Sequence, residues 1–294
     1  MNIIKKIPKY FMILIISFIS IIPFYVLLLL ALGDPSKKSF LPQWYFKNFV
    51  EAWNKSNIGV SIINSFIITT GAIIIIVLFA SSAGYTIARF NNKFNLIIFW
   101  TLLACMMIPG IINTIPLYVL IRSINGINTH WAMILILATN ALPFSVFLYT
   151  SFIKSIPKDI EEAAIIDGCT RFTAFWRVIF PLLKPVTAAV VIINGVGIWN
   201  NYAQAIFFLQ IKSMRTIPLS ISMFFQRYGA DWNLMAATSI IGIAPILVMF
   251  LFFQKFFIEG ISVGITKPKE GREFEIYCTY PSGYNPRPYH GNGH

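Results

Sequence analysis

Long apolar runs without a charged side chain limit this sequence to a membrane environment. The first run covers residues 11–32, and a helix that crosses the hydrocarbon core of a bilayer needs about 20 apolar residues. Hydrophobic residues make up 57% of the 294-residue chain and charged residues only 12%. That composition is too apolar for a soluble domain. The sequence therefore predicts an integral membrane protein.

Six apolar runs predict an all-α protein with six transmembrane helices. The predicted spans are residues 11–32, 62–83, 96–119, 131–152, 186–208 and 236–257. Pro109 and Pro116 interrupt the third span, and Pro143 lies in the fourth. Kinked helices are therefore expected, either around a central cavity or as packing kinks alone. An even number of spans puts both termini on the same side of the membrane.

The spans divide the chain into a short N-terminal segment, a transmembrane domain and a tail. These parts are residues 1–10, 11–265 and 266–294. The tail is rich in proline and tyrosine without a helical or strand period, which predicts a flexible segment. Residues 33–59 contain a cluster of aromatic side chains and are predicted to form a loop at the extracytoplasmic membrane surface.

A polar segment, residues 158–185, lies between the fourth and fifth spans and predicts a helix–turn–helix. Asp159 and Glu162 have the spacing of a helix N-cap with a reciprocating carboxylate. Gly168 is suited to the left-handed turn that ends a helix, and Thr170 is suited to cap the next one. The second helix has one apolar face with members at i, i+3, i+4 and i+7: Phe172, Phe175, Trp176 and Ile179. We expect this face to anchor the second helix to the transmembrane helices.

The residue spacing between 154 and 185 resembles the EAA loop of permease subunits in bacterial ATP-binding-cassette importers. The matching residues are Glu162-Ala163-Ala164, then Gly168 after three residues, then Val178-Ile179-Phe180-Pro181 after nine. The family favours Ile and Leu where Val178 and Phe180 stand, and both replacements keep these positions apolar. In that family the loop is the coupling element that sits in a groove of the ATPase subunit. We call residues 158–185 the EAA segment.

The resemblance implies that part of the EAA segment contacts a separate ATPase. The residues concerned are Glu162, Ala163, Ala164, Asp167, Gly168 and Arg171. Glu162 would either close the helix cap or present a carboxylate to the ATPase. The alternative is an ordinary amphipathic hairpin at the membrane surface. A loop that engages an ATPase faces the cytoplasm, so the resemblance also implies a bacterial cell-membrane protein with both termini cytoplasmic.

Further short matches resemble the carbohydrate-importer branch of these permeases. They are Asn64-Ser65, Ala88-Arg89-Phe90, Trp199-Asn200, Thr216-Ile217-Pro218, Tyr228-Gly229 and Asp231-Trp232, and Asn201 stands where that branch often has an acidic residue. The resemblance implies a second, different permease subunit, two ATPase domains, an extracellular or periplasmic sugar-binding protein, membrane lipid and a carbohydrate substrate. ATP and Mg would bind the partner ATPase, with no cofactor, metal ion or catalytic residue on this chain. The tail is then either flexible or a ligand for the ATPase.

Amide and aromatic side chains within the spans are candidates for a sugar pathway, because a neutral sugar needs hydrogen bonds and ring faces. The candidates are Asn140 on the fourth span and Asn194, Trp199, Asn200, Asn201, Tyr202 and Gln204 on the fifth. The competing interpretation is that these polar groups bond to neighbouring helices.

Charge and missing motifs argue against several other functions. The net charge of +12 comes from cations spread through short loops, which is typical of membrane headgroup contacts and topology signals rather than nucleic-acid binding. All 11 acidic residues lie in loops, tails or at a span end, which argues against a proton-coupled carrier. A sodium-coupled secondary carrier stays the alternative. No HExxH, GxxxxGK[ST] or CxxC spacing occurs, so neither a metal site nor a phosphate-binding loop is indicated.

Overall fold

The computed structural model describes residues 7–36, 41–90, 92–226 and 229–263, most of which are helical. The first seven helices are α1 (Ile7–Ala31), α2 (Lys47–Ser56), α3 (Ile58–Arg89), α4 (Lys93–Met106), α5 (Thr114–Ser123), α6 (His130–Ser155) and α7 (Asp159–Ile166). They are followed by α8 (Arg171–Ala174), a π-helix (Phe175–Ile179), α9 (Phe180–Leu182), α10 (Lys184–Trp199), α11 (Ala205–Phe208), a 3₁₀ turn (Lys212–Met214), α12 (Ile217–Ser222) and α13 (Trp232–Val263). One antiparallel ladder joins β1 (Phe225–Gln226) to β2 (Gly229–Ala230). The described residues are therefore all-α, as predicted, apart from this ladder.

Several of the described helices fit the thickness of a membrane. Three are long and apolar enough to cross it: Tyr10–Ala31, Ile58–Arg89 and His130–Ser155. A fourth span results if Arg171–Leu182 and Lys184–Trp199, which are bent by 72° relative to each other, are counted together. Lys93–Met106 and Trp232–Val248 are apolar but shorter. Helices that are long and apolar enough to cross a membrane thus support the predicted class, an all-α membrane protein.

The predicted loop 33–59 contains the helix α2, which the sequence prediction missed. The buried residues of α2 are Asn48, Ala52 and Ser56, which share one face because they recur every fourth position. The Asn48 amide donates hydrogen bonds to the carbonyl oxygens of Ala31 at 3.0 Å and Gly33 at 2.8 Å. This side chain therefore ties α2 to the end of α1.

Two predicted spans are not continuous helices, and the interruption expected in the third span occurs at Pro109. The third is two helices, because α4 ends at Met106 and α5 begins at Thr114; Pro109 between them has no N–H to continue a helix. The fifth ends at Trp199. Beyond it, the side-chain oxygen of Asn201 accepts a hydrogen bond from the Gln204 amide at 3.2 Å, and such a local bond favours a turn over helix. By contrast, α3, α6 and α13 extend past the predicted spans at both ends.

One compact unit comprises Met1–Ile75, Ile108–Ala141 and Ile192–Gln254. Within it, the buried Asn64 amide donates to the carbonyl oxygens of Ser213 at 2.9 Å and Arg215 at 3.0 Å. Its oxygen lies 2.8 Å from His130 Nε2. The next residue, Ser65, accepts a hydrogen bond from the Ile217 amide at 3.0 Å. These bonds fix the start of α12 against α3.

The other compact unit comprises Ile76–Met107, Leu142–Val191 and Lys255–His294. Within it, α3 and α6 approach closely at Gly84, where an added Cβ would lie 2.7 Å from Tyr149 Cβ and 3.1 Å from the Thr150 nitrogen. The Tyr149 hydroxyl donates to Thr187 Oγ1 on α10 at 2.9 Å. The EAA segment belongs to this unit and packs against the C-terminal end of α3.

Candidate functional site

The first helix of the EAA segment, α7, begins one residue earlier than the capping pattern predicts. Lys158 is the N-cap, with a helical backbone and no side-chain capping hydrogen bond. Asp159 is therefore the first residue inside the helix, and its predicted role as the cap is wrong. Asp159, Glu161 and Glu162 all lie in the first turn, where their negative charge is favourable to the helix dipole.

Gly168 ends α7 in the predicted left-handed conformation, with φ at 87°. Its amide donates to the Ile165 carbonyl at 3.0 Å, and the Cys169 amide donates to the Ala164 carbonyl at 3.0 Å. This pair of bonds is the Schellman arrangement, in which the residue after the helix favours glycine. The predicted turn is therefore confirmed. Both of its hydrogen bonds join residues that are at most five positions apart.

The second helix begins at Thr170, also as predicted, since the Thr170 hydroxyl accepts a hydrogen bond from the Thr173 amide at 3.2 Å. Its apolar face differs from the prediction. Phe175 and Ile179 are buried and Trp176 is half-buried, but Phe172 is 74% exposed. Phe172 lies in the first turn of α8, next to the exposed Thr170 and Arg171, whereas Phe175 and Ile179 lie in the π-helix that follows. Phe172 is therefore wrongly assigned to the anchoring face.

The buried centre of the site is Glu161, which the sequence prediction missed. Only 8% of Glu161 is exposed. One carboxylate oxygen accepts a hydrogen bond from the Tyr85 hydroxyl, and the other lies 2.9 Å from Arg89 Nε. Arg89 also donates through Nη1 to the Ile156 carbonyl at 3.1 Å. We call Tyr85, Arg89 and Glu161 the buried triad; it joins the C-terminal end of α3 to α7.

The buried triad also reaches the second helix of the EAA segment. The Tyr85 ring lies 4.8 Å, centroid to centroid, from the Phe175 ring. The Arg171 guanidinium lies 5.0 Å from the centroid of the Phe90 ring, close to the end of α3. Both helices of the segment therefore contact the same end of α3.

The predicted ATPase-contacting residues fall on two sides of the EAA segment. Five of the six are exposed: Glu162, Ala163, Asp167, Gly168 and Arg171. Ala164 is fully buried and packs with Cys169 and Ala174. The small side chain of Ala164 therefore lets the two helices of the segment approach each other. The five exposed residues, together with Ile166, which is 82% exposed, are open to a partner.

In the other unit, a cleft of about 700 Å³ brings together three of the predicted pathway residues, Trp199, Asn200 and Tyr202. The opposite parts of its wall come from α12, β1 and α13: Ile217, Pro218, Ile221, Ser222, Phe225, Met235, Ser239, Gly242, Ile243 and Ile246. Trp199 is buried, and its Nε1 donates to the Gly242 carbonyl at 3.3 Å. We call this space the aromatic cleft, since Tyr202 and Phe225 are exposed at it.

The other four predicted pathway residues do not line the aromatic cleft. Asn140 is exposed on α6, and Asn194 is buried on α10. Asn201 and Gln204 form the turn after α10 described above. The sequence prediction missed the cleft residues of α12, β1 and α13, although Ile217 and Pro218 stood within one of the short family matches.

Long apolar helices together with an EAA segment that is attached to their ends define a membrane-embedded transport subunit. Residues 76–262 match the family described as "Binding-protein-dependent transport system inner membrane component". The chain belongs to this family. It is therefore a permease component of an ATP-binding-cassette importer and not an enzyme, because ATP hydrolysis resides on separate subunits of such systems.

Bacterial relatives support this assignment. The chain is 41% identical over 251 residues to the melibiose/raffinose/stachyose import permease protein MelC of Bacillus subtilis, a match that covers 84% of this chain and 91% of that protein. It is 33% identical to the arabinooligosaccharides transport system permease protein AraQ of Halalkalibacterium halodurans, covering 69% and 72%. It is 31% identical to the diacetylchitobiose uptake system permease protein NgcG of Streptomyces coelicolor, covering 75% and 74%.

The fold is also similar to that of a solved importer structure. A chain in the crystal structure of a bacterial ABC transporter involved in the import of the acidic polysaccharide alginate matches with a TM-score of 0.75. The match covers 87% of this chain and 99% of that chain, at 16% sequence identity. At this identity the likeness is one of fold.

Proposed function

We propose that this permease takes up a carbohydrate, and that the EAA segment couples its transmembrane helices to the ATPase. The observation that carries the coupling proposal is that the segment has two different sides. Glu161 on one side is buried and held by Tyr85 and Arg89 of α3. The other side presents Glu162 and Ala163 as open surface.

This arrangement suits the transmission of movement. Two groups on α3 hold both oxygens of one carboxylate on α7, so α7 and the end of α3 move together as long as the buried triad is intact. An ATPase that contacts Glu162 and the exposed residues around it would displace α7. The displacement would then reach α3 through Glu161.

We propose an oligosaccharide as the substrate. The names of the three relatives refer to melibiose, raffinose and stachyose, to arabinooligosaccharides and to diacetylchitobiose. The aromatic cleft offers matching chemistry, because the rings of Trp199 and Tyr202 suit the apolar faces of a sugar and the Asn200 amide suits its hydroxyl groups. These three residues are therefore the leading candidates for substrate contact, ahead of Asn140, Asn194, Asn201 and Gln204.

We propose six spans, formed by α1, α3, α4 with α5, α6, α10 and α13, within a permease domain of residues 11–265. In this arrangement residues 1–10, the EAA segment and the tail, residues 266–294, lie on the cytoplasmic side. The tail lies outside the described residues. The complete importer would contain a second, different permease, two ATPase domains and an external sugar-binding protein.

The test is uptake of radiolabelled raffinose into proteoliposomes that contain the purified importer. We expect uptake to need internal ATP, the ATPase subunit and the binding protein. Uptake driven by a sodium gradient without the ATPase would instead support a secondary carrier and contradict the proposal. If the importer took up a different class of substrate and did not take up raffinose, only the proposal of a carbohydrate substrate would be contradicted.

A further inference from the structure

A cationic cavity of about 250 Å³ lies where α3 ends, α4 begins and α6 ends. Its polar wall includes Lys154, Lys158 and Asn92, and its apolar wall includes Leu96 and Phe99. All of these residues belong to the same compact unit as the EAA segment. We call this space the lysine cavity.

The charged residues that line the lysine cavity are both lysines. None of the described residues that line it is acidic, and neither lysine takes part in an ion pair among the described residues. Lys154 Nζ lies 5.5 Å from the centroid of the Phe99 ring, which leaves its N–H groups available to a ligand. Asn92 caps α4, so the positive end of that helix dipole adds to the charge of the two lysines.

The surroundings of the cavity are those of a membrane surface. Leu96, Ile97 and Trp100 of α4 are exposed apolar side chains, although they lie within one to two turns of the charged opening. Lysines next to exposed apolar and tryptophan side chains are typical of the level at which lipid headgroups lie. A ligand of this cavity must therefore combine an anionic group with an apolar part.

We propose that the lysine cavity binds a membrane phospholipid, with the phosphate at Lys154 and Lys158 and an acyl chain along Leu96 and Phe99. An anionic phospholipid is favoured over a zwitterionic one, because neither lysine forms an ion pair among the described residues, although Lys158 also lines a neighbouring cavity with Glu161 and Glu162. Lys158 is also the N-cap of α7. The bound lipid would therefore hold the junction between α6 and the EAA segment at the membrane surface.

The test is native mass spectrometry of the delipidated importer complex, titrated in detergent with phosphatidylglycerol or phosphatidylcholine. We expect a tightly bound phosphatidylglycerol that phosphatidylcholine does not replace. Since a lysine near an anionic headgroup contributes a factor of about 5 in binding, Lys154→Gln with Lys158→Gln should weaken this site about 30-fold. The matched control is Lys93→Gln, which removes an exposed lysine of α4 that does not line the cavity and should leave the affinity unchanged.

Three results would overturn the proposal. The first is equal binding of the two lipids by the unaltered complex, a measurement that needs no variant. The second is equal weakening by Lys93→Gln and by the double variant, which would indicate diffuse charge attraction. Displacement of the lipid by soluble glycerophosphoglycerol at the same concentration would show that the site takes a free phosphate ester, which also contradicts a lipid site. None of these outcomes depends on transport activity.

Discussion

Arg89 Nε lies 2.9 Å from Oε2 of Glu161, and the two side chains are only 6% and 10% exposed. This ion pair joins the last turn of α3 to the first turn of α7. A buried pair contributes little compared with well-packed apolar residues, but removal of one partner is costly because it leaves the other charge buried. The structure therefore predicts that a substitution which removes one charge of this pair is more destabilising than a double substitution which removes both.

The first prediction is that Glu161→Ala destabilises the attachment of α7 by about 3–5 kcal/mol, because it leaves the Arg89 guanidinium buried without its carboxylate. Thermal unfolding of the purified complex, together with sugar uptake, measures the effect. The control is Glu162→Ala, the adjacent exposed glutamate, which should leave the unfolding temperature nearly unchanged.

A double variant separates the ion pair from general packing. Arg89→Met combined with Glu161→Leu removes both buried charges, so the double variant should be more stable than either single variant. If the two single effects simply added, the two residues would act independently, and the ion pair would not be what holds α7.

The second prediction concerns the exposed side of the EAA segment. Glu162→Lys should abolish sugar uptake while the permease still inserts and pairs with its membrane partner, because the substitution reverses a charge on the proposed ATPase contact. Uptake, copurification of the ATPase and substrate-stimulated ATP hydrolysis would be measured in the same preparations. Asp159→Lys makes the same change on another exposed residue of the first turn and should retain uptake. Equal uptake by both variants and the unaltered protein would favour a simple surface hairpin.

Local signals in the sequence account for the turn and the second cap of the EAA segment. Gly168 and Thr170 are recognisable because the bonds they make lie within five residues of them. The phenylalanine pattern failed at Phe172 because periodicity identifies one face of a helix but does not show how far along the helix a neighbour covers that face; Phe172 lies in the exposed first turn of α8. The π-helix that begins at Phe175 was also not predicted. Deviations from a regular helix have no comparable sequence signal.

Contacts between distant positions were not predictable. Tyr85 is 76 positions from Glu161, and nothing in the sequence distinguishes the buried Glu161 from the exposed Glu162 beside it. Of the residues that line the aromatic cleft, only Trp199, Asn200 and Tyr202 were among the predicted pathway candidates, because periodicity describes one helix at a time. The wall that α12 and α13 contribute depends on tertiary packing, including the bonds that Asn64 and Ser65 make to the start of α12.

The third prediction is that Gly168→Val impairs coupling. The φ angle of 87° costs a β-branched residue at least about 1 kcal/mol, so the turn would shift and the second helix would be redirected. Uptake should fall while substrate binding to the external binding protein is unchanged. Gly168→Asn should have a milder effect, since asparagine tolerates the left-handed conformation better. Identical uptake in the valine variant would mean that the angle between the helices is unimportant.

The fourth prediction concerns topology. A reporter that is active only in the cytoplasm should be active when fused after Arg89 or Lys184 and inactive after Lys55 or Arg215. The reason is that α1, α3, α4 with α5, α6 and α10 each cross the membrane once in the proposed arrangement. Activity after Lys55 together with inactivity after Lys184 would contradict the proposed cytoplasmic position of the EAA segment.

The fifth prediction is that the aromatic cleft selects the substrate. Tyr202→Ala should raise the substrate concentration needed for half-maximal uptake by roughly 10-fold or more, because losing apolar contact in a binding pocket costs about 1–3 kcal/mol. Trp199→Phe removes the indole N–H that donates to the Gly242 carbonyl but keeps an aromatic ring, so it is preferred to alanine, which would also leave a large cavity. Phe207→Ala removes an exposed aromatic residue that does not line the cleft and serves as the control.

Each variant would be assayed with a disaccharide and a tetrasaccharide. A change in the ratio of the two uptake rates for Tyr202→Ala but not for Phe207→Ala would place the sugar at the cleft. Equal responses of the two variants would mean that the cleft only packs the helices, and substrate contact would then have to be sought at Asn140 or Asn194.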